Sequence, residues 1–159
     1  MAVEQGKAAP AFTLADANGT KVSLKDFRGQ YVVVYFYPRD DTPGCTKEAT
    51  GFGERLQELT NLGATVLGIS PDGSESHLNF AKKFDLTFPL LSDPERSVMT
   101  KYGAFGEKMM YGKKVTGVTR STVLVGPDGK VVKHWHRVAR AADHPAKVLE
   151  ALVEATANS

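Results

Sequence analysis

One cysteine stands in the chain, Cys45, within Tyr37-Pro38-Arg39-Asp40-Asp41-Thr42-Pro43-Gly44-Cys45-Thr46-Lys47-Glu48. A lone thiol is ordinarily a small buried hydrophobe. The residues around this one point to chemistry at sulfur. Thr42-Pro43 is an N-cap and first-position pair for a helix, which puts Cys45 in the first turn. Unpaired backbone N–H groups and the helix dipole favour negative charge there, so the thiol is expected to have a lowered pKa. Gly44 removes a side chain beside it, which leaves room for a small substrate.

Ionisation alone is a modest catalyst. Lowering a thiol from about 8.5 to about 6 raises its thiolate fraction at neutral pH roughly thirtyfold, or about 2 kcal/mol. A fast thiol reaction also needs donors aimed at the charge that develops on the leaving atom. The candidates are the Thr42 hydroxyl, the Cys45 amide and a cation from elsewhere in the chain. The Thr42 oxygen can accept from a backbone N–H as a helix cap while its hydrogen donates to substrate. Arg120 is the candidate cation, because it immediately precedes the apolar run Ser121 to Val125. At a strand end it is otherwise a solvated surface charge. Pro38 by itself reads as a strand terminator.

These residues need elements to position them. Tyr31 to Tyr37 (YVVVYFY) suits a strand buried on both faces. Phe12-Thr13-Leu14 and Val22-Ser23-Leu24 alternate around Asn18-Gly19 and predict a strand pair. Ala49, Phe52, Leu56, Leu59 and Leu62 predict one helix that stops at Gly63. Ala64 to Ser70 predicts a strand. Asp72 and Glu75 have capping-box spacing before a helix with Leu78, Ala81 and Phe84 on its inner face. A short strand is expected within Phe88 to Ser92. Asp93-Pro94 predicts a helix with Val98 and Tyr102 on one face. Residues 104–119 read as irregular. Ser121 to Val125 and Val131 to Val138 flank Pro127-Asp128-Gly129 as a hairpin, and Asp143 precedes a last helix with Val148, Leu149, Leu152 and Val153 inside. The order predicts an α/β fold with a mixed central sheet flanked by helices.

Composition narrows the function classes. The 159 residues fit one domain spanning 1–159, and no linker or repeat divides them. Twenty Lys+Arg against 18 Asp+Glu leave a net charge of +2, which argues against nucleic acid or an anionic membrane as the main partner. A single cysteine excludes an intrachain disulfide, a Cys-x-x-Cys pair and a multi-cysteine zinc site. No leader pattern or long apolar run is present, so a cytoplasmic protein with a reduced thiol at rest is expected. His134 and His136 flank Trp135 on one predicted face, but no third ligand accompanies them, and solvated histidines are the reading taken. His77 and His144 read as surface residues, and Met99, Met109 and Met110 as packing or loop residues.

The stretch FYPRDDTPGCTKE resembles the active-site signature of peroxiredoxins, Pro-x-x-x-Thr/Ser-x-x-Cys. It looks most like the bacterioferritin comigratory protein, or peroxiredoxin Q, subfamily. The likeness continues through APAFTLADANGTKVSLKDFRGQYVVVYFYP, VLGISPDGSESHLNFAKKF, FPLLSDPERSV, YGKK and RSTVLVGPDGKVV. It implies a thioredoxin-like fold with an N-terminal β-hairpin extension, and a peroxidase acting on hydrogen peroxide and organic hydroperoxides. By resemblance, Cys45 attacks the peroxide and becomes a sulfenic acid. Thr42 hydrogen-bonds the peroxide, Arg120 holds the thiolate and the stretched O–O bond, and Pro38 shields the thiolate from solvent. Glu48 matches a position that fixes the arginine by a salt bridge, although an acidic residue in a first turn also complements the helix dipole. No cofactor is implied, and the subfamily is often monomeric.

The chain departs from that family at one point. Many members carry a second, resolving cysteine, either five residues after the first, here Thr50, or on the next helix around Phe80 to Lys83. Neither place holds one. A one-cysteine cycle is therefore expected, recycled by an external thiol such as thioredoxin or glutathione with glutaredoxin. Two other readings are weighed. A Cys-His hydrolase needs a histidine beside Cys45. A non-enzymatic thioredoxin-fold module would bind or chaperone other proteins.

Overall fold

Residues 3–157 are described by the computed structural model. Tyr31–Phe36 forms the strand predicted for it, β3. Side chains alternate along a strand: Val33, Tyr35 and Tyr37 face one side of the sheet, and Val32, Val34 and Phe36 the other, all buried. Each such apolar side chain contributes roughly 1.5–3 kcal/mol through burial, which makes β3 the anchor of the fold.

The other strands assemble about it. Strand β4 (Ala64–Ser70) pairs parallel with β3, and β5 (Leu90–Ser92) parallel with β4. On the other side β8 (Ser121–Val125) pairs antiparallel with β3, and β9 (Val131–Trp135) with β8. The N-terminal pair, β1 (Thr13–Asp16) and β2 (Lys21–Ser23), joins the far edge through β5, so the sheet order is β2-β1-β5-β4-β3-β8-β9. This is the mixed sheet expected. One face packs against α1 (Pro43–Glu54), α2 (Leu56–Asn61), α3 (Ser74–Phe84) and α5 (His144–Ala157). The other is covered by α4 (Ser97–Lys101), Tyr102 and Phe12. No helix among the described residues is long and apolar enough to cross a membrane.

Several local expectations are corrected. The helix expected from Pro43 to Leu62 breaks at Arg55, whose N–H turns back to Phe52 and Gly53. Residues 104–119 are not irregular: β6 (Phe105–Met110) and β7 (Lys113–Val118) form a hairpin. Tyr111 and Gly112 turn it with φ of 53° and 77°, the left-handed pair that matches strand twist. Strand β9 ends at Trp135, short of Val138. Asp72 caps nothing, and Gly73 takes the N-cap of α3. Asp93 instead accepts from the Met99 N–H at 2.8 Å, and α4 starts later, at Ser97. Helix α3 is rotated from expectation: His77 and Phe80 are buried while Leu78 is exposed. On α5, Ala151 is buried and Val153 is exposed.

The sheet register sets the site. Phe36, the last residue of β3, pairs with Ser121, the first of β8. The chain leaves β3 toward the start of α1 at the same level where Arg120 enters β8. Residues 75 positions apart, Cys45 and Arg120, thereby share one end of the sheet.

Candidate active site

Pro43 opens α1, and Thr42 is its N-cap with extended backbone, φ −104° and ψ 156°. The first amide bonded into the helix is that of Thr46, to the Thr42 carbonyl at 2.8 Å. The Gly44 and Cys45 amides precede it, in the part of a helix that has no internal acceptors. Cys45, Ala49 and Phe52 recur at helical spacing on the buried face, and Cys45 is only 2% exposed.

Arg120 reaches this helix start. Its Nη2 donates to Cys45 Sγ at 3.4 Å, and its Nη1 donates to Glu48 Oε1 at 2.7 Å. Glu48 is wholly buried. Burial pushes its carboxyl up to about 7, against the downward pull of Arg120. Burial lowers Arg120, but the opposing charges of Glu48 and Cys45 raise it further, so the guanidinium stays charged. Glu48 Oε2 and the Tyr35 hydroxyl are buried without partners. Burial chiefly, then the neighbouring Glu48, raises Tyr35 well above its usual range.

Two expected details differ. The Thr42 hydroxyl makes no cap bond; it donates to the Arg39 carbonyl at 2.8 Å. The space left by Gly44 is taken by the arginine, since a Cβ there would lie 3.0 Å from Arg120 Nη2. Pro38 is exposed. With Met110, Thr119, Arg120, Arg137 and Val138 it lines a cavity of about 570 Å³.

The histidines are also placed differently. His77 is wholly buried, with Nδ1 2.6 Å from Asp40 Oδ2 and Nε2 3.1 Å from the Leu91 carbonyl. His144 is buried, with Nε2 2.8 Å from Thr122 Oγ1, and burial lowers it to about 4. Neither is a surface residue. The rings of His134 and His136 are tilted by 50° with centroids 3.9 Å apart, and both ring nitrogens of His134 are buried and unpaired. Those nitrogens are shut off from water although the residue is only half-buried, and burial lowers it to about 4, while His136 is exposed as expected. None of the four hydrogen-bonds Cys45, which leaves a Cys-His hydrolase without its base.

Sequence reading missed the network that joins the buried Tyr37, Asp40 and His77 to the half-buried Asp72. One signal was available. His77 lies three residues before Phe80 and seven before Phe84, so it sits on the apolar stripe of α3.

The profile of the AhpC/TSA family matches residues 5–134. A Mycobacterium tuberculosis relative is 54% identical over 143 residues, 90% of either chain. Peroxiredoxin Bcp of Escherichia coli (strain K12) is 42% identical over 152 residues, covering 96% of this chain and 97% of its own. The Xanthomonas campestris bacterioferritin comigratory protein, solved for its alkyl peroxide reduction activity, superposes with a TM-score of 0.89. It is 39% identical, over 96% of this chain and 99% of its own.

Proposed function

The chain belongs to the AhpC/TSA family as a thiol-dependent peroxidase of the Bcp, or peroxiredoxin Q, kind, and from that premise we propose how its own residues run the reaction. The Cys45 thiolate attacks the hydroxyl oxygen of a hydroperoxide ROOH. The O–O bond breaks, its electron pair leaves on the RO oxygen, and a proton taken up there releases ROH. Cys45 is left as a sulfenic acid.

Each neighbour has a part in this step. Thr42 donates its only hydroxyl hydrogen to the Arg39 carbonyl. Its lone pairs are then free to accept the O–H of the peroxide, which fixes the oxygen to be attacked. Arg120 spends one donor on Glu48 and one on the sulfur. Its remaining N–H groups are available to the departing oxygen, as are the Gly44 and Cys45 amides. Glu48 anchors the guanidinium. Gly44 admits it, and Pro38 forms the rim of the entrance.

The sulfenic acid is resolved from outside. Thr50, where a resolving cysteine is common in the family, is a hydroxyl bonded to the Thr46 carbonyl at 2.8 Å. An external thiol therefore attacks the sulfenic sulfur, water leaves, and a second thiol releases Cys45 from the mixed disulfide. Thioredoxin, or glutathione with glutaredoxin, fits this need. The reading is of a single-domain cytoplasmic monomer.

The observation that carries the proposal is the 3.4 Å approach of Arg120 to the sole thiol. One equivalent of hydrogen peroxide should make Cys45 reactive to a sulfenate-specific label. Cys45→Ser should fold and consume no peroxide. An unlabelled protein whose thiol stays free after peroxide would refute the scheme. Turnover assays with each electron donor then identify the reductant.

A further inference from the structure

The peptide that joins Arg39 to Asp40 is held at both ends. Its carbonyl accepts the Thr42 hydroxyl at 2.8 Å, and its N–H donates to Asp72 Oδ2 at 2.7 Å. A trans peptide is planar, with C=O and N–H pointing opposite ways. Fixing the N–H therefore fixes the carbonyl, and the hydroxyl hydrogen of Thr42 follows the carbonyl.

The holding groups are themselves held. The Ser70 hydroxyl donates to the same Asp72 Oδ2 at 2.8 Å. The Asp40 carboxylate accepts from the Tyr37 hydroxyl at 2.6 Å and the Ser76 hydroxyl at 2.8 Å, and Oδ2 meets His77 Nδ1 at 2.6 Å. The Asp40 and His77 side chains are 2% and 0% exposed. Buried polar groups of this kind are costly unless paired, and a fully satisfied network is rigid. None of these side chains hydrogen-bonds Cys45, Arg120 or Glu48. They tie the loop before α1 to the start of α3.

We propose that Asp72, Asp40 and His77 are positioning residues for the peroxide step. Together they fix the Arg39–Asp40 peptide, and through its carbonyl they aim the lone pairs of Thr42 at the incoming hydroperoxide. The proposal rests on the role given to Thr42 above. With the peptide free to turn, the hydroxyl loses its partner and its direction, while the sulfur and its arginine stay as they are.

The test measures two rates at Cys45: oxidation by hydrogen peroxide, and alkylation by iodoacetamide, which makes no use of Thr42. Asp72→Ala should slow oxidation about 10-fold and leave alkylation within about twofold. Combined with Thr42→Val it should add no further slowing, because both changes remove one coupled function. His77→Asn, whose amide can donate to Asp40, should retain more of the oxidation rate than His77→Leu. Ser70→Ala, which loosens Asp72, supplies a milder variant should Asp72→Ala fail to fold by circular dichroism. Oxidation at the parental rate in both folded variants overturns the proposal. So does slowing that multiplies with that of Thr42→Val, or an equal loss of alkylation. If Thr42→Val alone oxidises at the parental rate, the reading of Thr42 falls first and this inference with it.

Discussion

Gly44 and Arg120 are in steric register: a methyl group on Gly44 would sit 3.0 Å from Nη2, the nitrogen that reaches Cys45. That is closer than such contacts normally come, and the atom that must yield is the tip of a flexible side chain. Gly44→Ala should therefore leave the fold intact and push the guanidinium off the sulfur. Displacing a catalytic group by a fraction of an ångström to one ångström lowers rates roughly 10- to 100-fold. Stopped-flow oxidation by peroxide should show that loss, with an unchanged melting temperature. A parental rate in Gly44→Ala would mean that Arg120 reaches the sulfur by another path.

The Glu48–Arg120 pair predicts a loss of stability as pH rises. Burial raises Glu48 from 4.5 to about 7 in the folded protein. Below pH 4.5 both states hold the proton and the stabilisation is whole. Between 4.5 and 7 the unfolded chain gives up its proton first, so stability falls until the folded carboxyl has ionised. The loss is on the order of 3 kcal/mol. Glu48→Gln keeps an acceptor for Arg120 and removes the titration. The gap in unfolding free energy between variant and parent should move in favour of the variant from pH 4.5 to pH 8. A gap independent of pH would contradict it.

His144 predicts the opposite limb. Burial, aided by the charges of Lys147 and Arg120, lowers it from 6.5 to about 4. Stability from keeping this ring neutral is complete above 6.5 and is lost as pH falls toward 4. His134 is lowered over the same window, so a single variant removes only part of the slope. His144→Gln should flatten the acid limb of a melting-temperature profile relative to the parent. Equal slopes in the two proteins would show that His144 does not titrate there.

Much of this arrangement was legible in one dimension, for identifiable reasons. Tyr31–Phe36 announced a doubly buried strand because its apolar run is uninterrupted. Thr42-Pro43 announced the helix that carries Cys45, because proline at a first helical position is a backbone rule. Arg120 was legible as a strand-end cation, but its contact with Cys45 depends on the pairing of Phe36 with Ser121, which lies in no local pattern. The hairpin of Phe105–Met110 with Lys113–Val118 was hidden by its glycines, which read as loop. His77 was misread because a histidine near a helix start is usually solvated. Here Asp40 and the Leu91 carbonyl, both distant in sequence, satisfy its two nitrogens and allow burial.

The missing second cysteine gives the last prediction. Residues five apart on an α-helix have Cα atoms about 8–9 Å apart, beyond the roughly 7 Å that a disulfide spans. A cysteine installed by Thr50→Cys therefore bonds to Cys45 only if the first turns of α1 unwind. After one equivalent of peroxide, Thr50→Cys should lose both thiols, lose far-ultraviolet helical signal, and become cleavable by protease near residue 45. The parent should keep its helix and carry a labelled sulfenate. If Thr50→Cys instead keeps a sulfenate and a free thiol for hours, the helix start does not open. The external thiol must then reach the sulfur in the folded protein.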